Sequence, residues 1–202
     1  MAQSSRDKIL NRIKNKTREE QQNSSSGFHF LKQYHQPLIQ TFEEKLTAVN
    51  GTFLSVKNTY EFQQQLNKLL NQKAWTNIYC NEPAIQKLLT IGFSESLGNE
   101  TEAAITGCEY LVAQTGSAIL STTQTKSRRS FAYAPVHIIV AFRNQLVGQI
   151  EEGLNRLAEK YKSNLPSQIT TITGPSRTAD IEKTLVLGAH GPRELIIFYI
   201  DE

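Results

Sequence analysis

The sequence predicts an α/β domain built on a mostly parallel sheet in three layers, Rossmann-like in outline, with a short helical extension at its N-terminus. Segments with helical spacing of apolar residues alternate with short apolar runs along the chain, an order typical of parallel sheets. Runs of this kind are almost continuously apolar in the second half, which favours strands buried on both faces. They cover residues 118–120, 136–141, 169–172 and 195–200.

The first segment, residues 5–20, places Ile9, Leu10 and Ile13 at helical spacing among charged residues, which predicts a short amphipathic helix. Residues 21–27 are polar and rich in serine, so a loop follows. We therefore expect an N-terminal extension over residues 1–26 and one domain over residues 27–202.

The body begins with a helix over 37–49, in which Pro37 suits the first turn and Leu38 and Phe42 lie on one apolar face. The remaining elements are predicted from the same alternation between apolar residues at helical spacing and short apolar runs. They are a strand at 52–56, a helix at 60–70, a strand at 77–80 and helices at 83–89 and 146–161.

Composition is that of an ordinary globular protein, with 202 residues, 39% hydrophobic and 20% charged. A chain of this length can bury a self-supporting core. The net charge of +3 derives largely from residues 1–18, which contain six Lys or Arg and one Asp but no aromatic residue. This pattern favours a solvated helical face over a nucleic-acid-binding arm.

The two cysteines, Cys80 and Cys108, match no zinc or thioredoxin motif, and two thiols cannot supply the four ligands of an iron–sulfur cluster. Cys80 lies in an apolar run and is expected to be a buried thiol, whereas the setting of Cys108 beside Gly107 leaves its state open. We expect no metal or cofactor in this chain. The polar N-terminus and the lack of a long apolar run indicate a cytoplasmic protein without a membrane span.

Three segments have the character of ligand-binding loops, which in open parallel sheets follow the carboxyl ends of strands. The first, residues 113–117, combines two hydroxyls with a glycine that permits a tight turn. It is either a ligand loop or a simple turn. Its candidate binding residues are Thr115, Gly116 and Ser117.

The second segment, residues 173–182, follows the apolar run at 169–172 and can cap a helix whose free N–H groups hold an anion. Asp180 and Glu182 would repel a phosphate there, so a carboxylate or a hydroxyl-bearing ligand fits better. A capped helix without a ligand is the alternative. The candidate binding residues are Gly174, Ser176, Arg177 and Thr178.

In the third segment, residues 187–192, His190 lies between Gly188 and Gly191. This predicts a tight loop in which the imidazole is accessible to a ligand, for acid–base or binding chemistry. A plain surface turn is the alternative. The basic cluster at 126–130, which includes Arg128, is either a solvated loop or a cover for an acidic substrate. His137 opens an apolar strand and is interpreted as structural.

Other catalytic motifs are missing from the sequence, including the GxSxG elbow, the HExxH zinc motif, the phosphate-binding GxxxxGK[ST] loop and a GxGxxG between strand and helix. His29 and His35 form only a weak metal pattern. The paired carboxylates at 43–44 and 151–152 are typical of solvated helix faces.

The order of these segments resembles the LUD-domain family, in its lactate-utilisation protein C branch. The resemblance rests on residues 107–120, 128–138, the string Gly-Pro-Ser-Arg-Thr-Ala-Asp-Ile-Glu at 174–182, and Gly-Ala-His-Gly-Pro at 188–192. It implies a fold similar to that of glucosamine-phosphate deaminases, ribose-phosphate isomerases and CoA transferases. It also implies participation in the oxidation of L-lactate to pyruvate, with any iron–sulfur clusters held by partner proteins.

One position departs from the family pattern. Many relatives carry Glu where this chain has Gln114, and the CoA transferases use a glutamate as covalent nucleophile, a role that an amide cannot fill. Glu109, five residues earlier, is expected to point elsewhere. The resemblance therefore lends little support to carboxylate-based transfer at Gln114.

Three functions remain in view. The first is a subunit or accessory protein of a lactate-oxidation system that binds a small 2-hydroxy or 2-oxo acid, with iron–sulfur oxidoreductase subunits as partners. The second is an isomerase or transferase acting on a sugar phosphate or acyl-CoA, with His190, Asp180 and Glu182 as its catalytic residues. The third is an interaction protein that docks through its N-terminal helix.

Overall fold

A computed structural model describes residues 36–124, 132–178, 186–188 and 190–202, together with Arg6. Tyr34–Glu202 form one compact unit that contains all of these except Arg6. The helix predicted over 5–20, the loop at 21–27 and the domain boundary after residue 26 lie outside the described residues and stay predictions.

The described helices are α1 (Leu38–Ala48), α2 (Thr59–Lys73), α3 (Pro83–Gln86) and α4 (Ile150–Tyr161), with a 3-10 turn at Arg143–Gln145. The first strands are β1 (Thr52–Val56), β2 (Ile78–Tyr79), β3 (Ala103–Gly107), β4 (Tyr110–Val112), β5 (Ser117–Ser121) and β6 (Val136–Phe142). The later strands are β7 (Leu146–Val147), β8 (Ile169–Ile172), β9 (Arg177–Thr178), β10 (Val186–Leu187) and β11 (Glu194–Ile200).

The central sheet has five strands in the order β1-β11-β6-β3-β2, and every neighbouring pair is parallel. The predicted α/β class with a mostly parallel sheet is therefore confirmed. β6 and β11 lie side by side at its centre, in a register that runs from Val136 opposite Glu194 to Phe142 opposite Ile200.

Both faces of this sheet are buried, because alternate residues of each central strand enter different clusters. In β6, Ile138 and Val140 pack on the side of α2, whereas Ile139 and Ala141 pack on the side of α1. The α2 side is filled by Phe62, Leu66 and Leu70. There the rings of Phe62 and Phe198 meet edge to face, with centroids 5.2 Å apart.

A second sheet, in the order β7-β4-β5-β8, packs beside α1 on the other face. Here the sequence-based expectation was wrong: residues 118–120 and 169–172 were predicted as strands of the parallel sheet, but β5 and β8 pair with each other antiparallel. Only residues 113–116 separate β4 from β5, too few for a parallel crossover, so these strands form an antiparallel hairpin.

Two further differences lie at neighbouring elements. The helix predicted over 146–161 begins at Ile150, because Leu146 and Val147 pair in parallel with β4. The strand β3, fully buried in the central sheet, was missed. Its alanines and glycine lack the β-branched signature of a strand, although β3 is an interior strand between β6 and β2.

His137 is fully buried in β6, and its Nε2 lies 2.7 Å from the hydroxyl of Thr106 on β3. Burial lowers the pKa of this imidazole to about 3. The structural interpretation of His137 is confirmed. Cys80 and Cys108 are both buried free thiols, and burial raises the pKa of Cys80 to about 11 and that of Cys108 further.

Within the described part of the chain, no helix combines the length and apolar character required to cross a membrane.

The helix α2 offers a test of the core on one element. Phe62 is fully buried, whereas Tyr60, two residues away, is 67% exposed. Phe62→Ala is expected to lower the free energy of unfolding by roughly 3–5 kcal/mol, since it leaves a cavity against Phe198. Tyr60→Ala should change it by less than about 0.5 kcal/mol. Chemical denaturation measures both, and equal losses would contradict this description of the core.

The turn between β4 and β5 offers a second test. Gly116 has φ +66°, and an added Cβ would lie 2.3 Å from the backbone nitrogen of Leu46 in α1. Gly116→Ala should therefore cost roughly 2–4 kcal/mol of stability, from strain and backbone overlap. Gly98, whose Cβ would meet nothing within 4 Å, is the matched control. If thermal denaturation showed Gly116→Ala to be as mild as Gly98→Ala, the packing of this turn on α1 would be wrong.

Candidate functional site

The candidate binding residues that the structure describes fall into two groups. The first group surrounds the C-terminal end of α1. The buried hydroxyl of Ser117 lies 2.7 Å from that of Thr115 and 2.7 Å from that of Thr173. Gly116 and Gly174 are buried against the backbone of Lys45–Leu46 and Val49, respectively. This group joins the hairpin turn to the segment that follows β8.

Arg177 belongs to the same group. Its side chain is exposed, and its guanidinium donates to the carbonyl of Val49, the residue that ends α1. A cation at this position complements the negative end of the helix dipole and satisfies a terminal carbonyl. In the structure, Arg177 thus caps helix α1. Its role as a ligand-binding residue stays a prediction.

The second group gathers around Ser176. Its N–H donates to the carbonyl of Pro192 over 2.8 Å, and its own carbonyl accepts from the N–H of Gly188 over 2.9 Å. A side chain on Gly191 would contact Ser176 at 3.1 Å. These contacts bring the second and third predicted loops together, and Ser176 backs the loop that carries His190.

Beside this loop lies an open cavity of about 620 Å³. One side is formed by the chain before β6, through Ala132, Tyr133 and Pro135. The other side is formed by the chain before β11, through Gly188, His190, Gly191 and Arg193. The position of Arg193 depends on Gly188, which has φ +78° and whose added Cβ would lie 2.8 Å from the Cβ of Arg193.

The cavity lies at the amino ends of β6 and β11. The carbonyl of Pro135 accepts from the N–H groups of Arg193 and Glu194, over 2.8 and 3.3 Å, and so ties the two strand starts together. The expectation that all three loops follow the carboxyl ends of parallel strands was therefore wrong. The third loop precedes β11, and the first two adjoin strands of the second sheet.

Arg193 is the one cationic side chain among the described residues that line the cavity. His190 lines it as well, and both side chains are exposed. The described lining includes no carboxylate, and the nearest along the chain, Glu194, accepts from Lys73 at 3.1 Å. The sequence analysis did not identify Arg193 or Tyr133 as candidate site residues. For Arg193 a signal was available, because it is a cation directly after Gly-Pro at the start of a strand.

Several residues singled out in the sequence lie outside the described part of the chain or are described only through their backbone. Arg128, Asp180 and Glu182 lie outside the described residues, as do His29 and His35. Thr178 lies in β9, opposite Val186 of β10, but its side chain is not among those described. Gln114 lies in the hairpin turn, where its N–H donates to the carbonyl of Gly148 over 3.0 Å. The roles assigned to all of these stay predictions.

Metal ligation finds no support in the part of the chain that the structure describes, where no group of three or more His, Cys, Asp or Glu side chains could hold an ion. A second groove of about 630 Å³ lies between α2 and residues 91–101, lined in part by Trp75 and Phe93. Its lining consists chiefly of apolar, hydroxyl and amide side chains, and its one described charged residue is Glu100, so it does not match the cavity at His190 in charge.

The family model of the LUD domain matches residues 97–200, just over half of the chain. Lactate utilization protein C of Deinococcus radiodurans is 33% identical over 103 residues, which cover 50% of this chain and 48% of that protein. Lactate utilization protein C 1 of Bacillus mycoides is 22% identical over 174 residues, or 83% and 74%. The protein of Halalkalibacterium halodurans with this name is 26% identical over 174 residues, or 77% and 75%.

The chain thus spans about half the length of the first relative and about three quarters of the other two. A crystal structure of a DUF162 family protein from Deinococcus radiodurans has a similar fold, with a TM-score of 0.60 at 21% identity over 81% of this chain and 96% of that one. With the segment order, the α/β fold and these relatives in agreement, the chain belongs to the LUD-domain family, in the lactate utilization protein C branch.

Proposed function

We propose that this chain is the LUD-domain component of a system that oxidises L-lactate to pyruvate, and that it holds a small 2-hydroxy or 2-oxo acid in the cavity beside His190. The names of its relatives support the pathway. The single observation that carries the ligand class is the cavity lining, which includes both Arg193 and His190 and contains no acidic residue among those described.

Arg193 is the anchor of this proposal. A guanidinium pairs with a carboxylate through two parallel N–H donors, so it selects for planar anions. Because Gly188 has no side chain, the loop packs closely against Arg193 and restricts the position of its Cβ. The hydrogen bond from the N–H of Arg193 to the carbonyl of Pro135 then fixes the backbone of Arg193 relative to β6.

His190 and Tyr133 supply the polar contacts for the rest of the ligand. An imidazole can accept from a 2-hydroxyl or donate to a 2-oxo group, so one site can serve both members of the lactate–pyruvate pair. Oxidation of L-lactate releases two electrons and two protons. We propose that partner proteins carrying iron–sulfur clusters accept the electrons, as the family resemblance implies.

Calorimetric titration with L-lactate and pyruvate tests the binding site. Arg193→Ala should weaken binding of both acids by roughly tenfold to a hundredfold, because it removes a charge-assisted hydrogen bond. Arg177→Ala is the matched control: it should lower the melting temperature by uncapping α1 and leave the affinity unchanged.

If Arg177→Ala lost affinity and Arg193→Ala kept it, the binding site would instead be in the loop after β8. Failure of the wild-type protein to bind either acid, alone or with its iron–sulfur partners, would contradict the proposed ligand class.

A further inference from the structure

The carboxyl ends of the central strands carry a pair of buried glutamates that are not part of the proposed anion site. β2 and β3 are parallel neighbours, and they end at Tyr79 and Gly107. Glu82 follows the first of these ends, and Glu109 follows the second. Both carboxyl groups are buried, with 4% and 2% of the residue exposed. Carboxyl ends of parallel strands are where open α/β sheets bind ligands.

Glu109 is fully engaged. One of its oxygens accepts from the hydroxyls of Ser121 and Tyr161, over 2.5 and 2.6 Å, and the other accepts from the ammonium of Lys160 over 2.7 Å. Three donors from β5 and α4 thus satisfy this carboxylate and fix its position.

Glu82 lies in a different environment. Its Oε2 accepts from the N–H of Gly107 over 2.9 Å, and Gly107 has no side chain to hold the carboxyl group away. Its Oε1 is buried and has no hydrogen-bond partner among the residues that the structure describes. An unsatisfied buried carboxyl oxygen is costly, and proteins keep such groups chiefly where a function needs them.

Burial, and to a smaller extent the charge of Glu109, raises the pKa of Glu82 to about 7. Among the described residues, the other titratable groups that interact with Glu82 are the buried thiols of Cys80 and Cys108, whose own pKa values are raised by burial. The two neighbouring carboxyl groups thus lie in unlike environments: three donors hold Glu109 in place, whereas Glu82 exchanges its proton near neutrality.

Gln124 adds a second acceptor. Its amide nitrogen donates to the carbonyl of Cys108 over 2.8 Å, and its Oε1 is buried without a partner in the described part of the chain. The side chains that bind the backbone of Gly107 and Cys108 therefore each keep one buried acceptor oxygen without a donor. A ligand that supplies hydroxyl or ammonium donors fits them, whereas a carboxylate would be repelled by Glu109.

We propose that this edge is a second small-molecule site, in which Glu82 accepts a hydrogen bond from the hydroxyl or protonated amino group of a ligand. The site differs in chemistry from the cavity beside His190, which is suited to anions. The inference does not rest on the proposed function, because it concerns different residues at the other end of the strands.

Ethanolamine, which carries both donors, is the probe. Its addition should shift the backbone amide resonances of Gly107 and Cys108 in nitrogen-15 NMR spectra. Because ionised Glu82 is the better acceptor, affinity should rise as the pH passes through about 7. Propionate, an anion of similar size, should leave both resonances unchanged.

Glu82→Gln separates binding from stability. It should weaken ethanolamine binding by roughly tenfold to a hundredfold and abolish its rise with pH. The folded state should not suffer, since the amide still accepts from Gly107. Because the pKa of Glu82 is raised from 4.5 to about 7 on folding, its contribution to stability is complete below pH 4.5 and is lost as the pH rises through about 7. At pH 8 the wild type buries a charged carboxylate, whereas the variant buries a neutral amide, so the variant should have the higher melting temperature. Tyr60→Ala is the unaffected control.

Glu109→Gln, by contrast, should lower the melting temperature, because it breaks the pairing with Lys160. A Glu82→Gln variant that binds ethanolamine as the wild type does would overturn the proposal. So would a loss of melting temperature equal to that of Glu109→Gln, which would make Glu82 a structural residue. Unchanged amide resonances of Gly107 and Cys108 with ethanolamine at pH 8 would overturn it as well.

Discussion

The parallel pairing of β6 with β11 is the interaction on which the rest of the structure depends. It starts where the carbonyl of Pro135 accepts from the N–H groups of Arg193 and Glu194, and it continues over seven residues of each strand. That register sends alternate side chains to opposite faces, so the core against α2 and the core against α1 are filled at once. The same contact sets Arg193 and His190 beside the segment before β6.

The two ends of this sheet differ in charge, and the difference follows from which residues flank the strands. Arg193 and His190 come before strand starts, whereas Glu82 and Glu109 come after strand ends. The two proposed sites therefore call for different ligands, an anion at the amino ends of the strands and a hydroxyl or ammonium donor at the carboxyl ends. The long strands of the sheet keep these two chemistries apart, so each can be altered without changing the other.

Much of the fold could be predicted from the sequence, since the apolar run at 136–141 and the helical spacing at 37–49 report burial directly. The antiparallel pairing of residues 118–120 was not predicted, because an apolar run does not reveal its partner strand. The four-residue turn before this run was the better guide. The strand at Ala103–Gly107 was hidden by its small residues, although it carries both Thr106, the partner of His137, and the Gly107 amide that holds Glu82.

The candidate site was predicted in part for the same reason. Glycines around His190 pointed to an accessible loop, and the structure places that loop on a cavity. Local sequence could not show that Arg177 reaches Val49, 128 positions away, or that Arg193 takes the place beside His190. Such assignments depend on which segments the sheet brings together.

A crystal structure of the protein grown with L-lactate tests the central claim most directly. The account predicts the lactate carboxylate against the guanidinium of Arg193, with the 2-hydroxyl within hydrogen-bond distance of His190 at the amino ends of β6 and β11. Lactate bound instead against Arg177 after β8, or between Glu82 and Gln124 at the carboxyl edge, would contradict it.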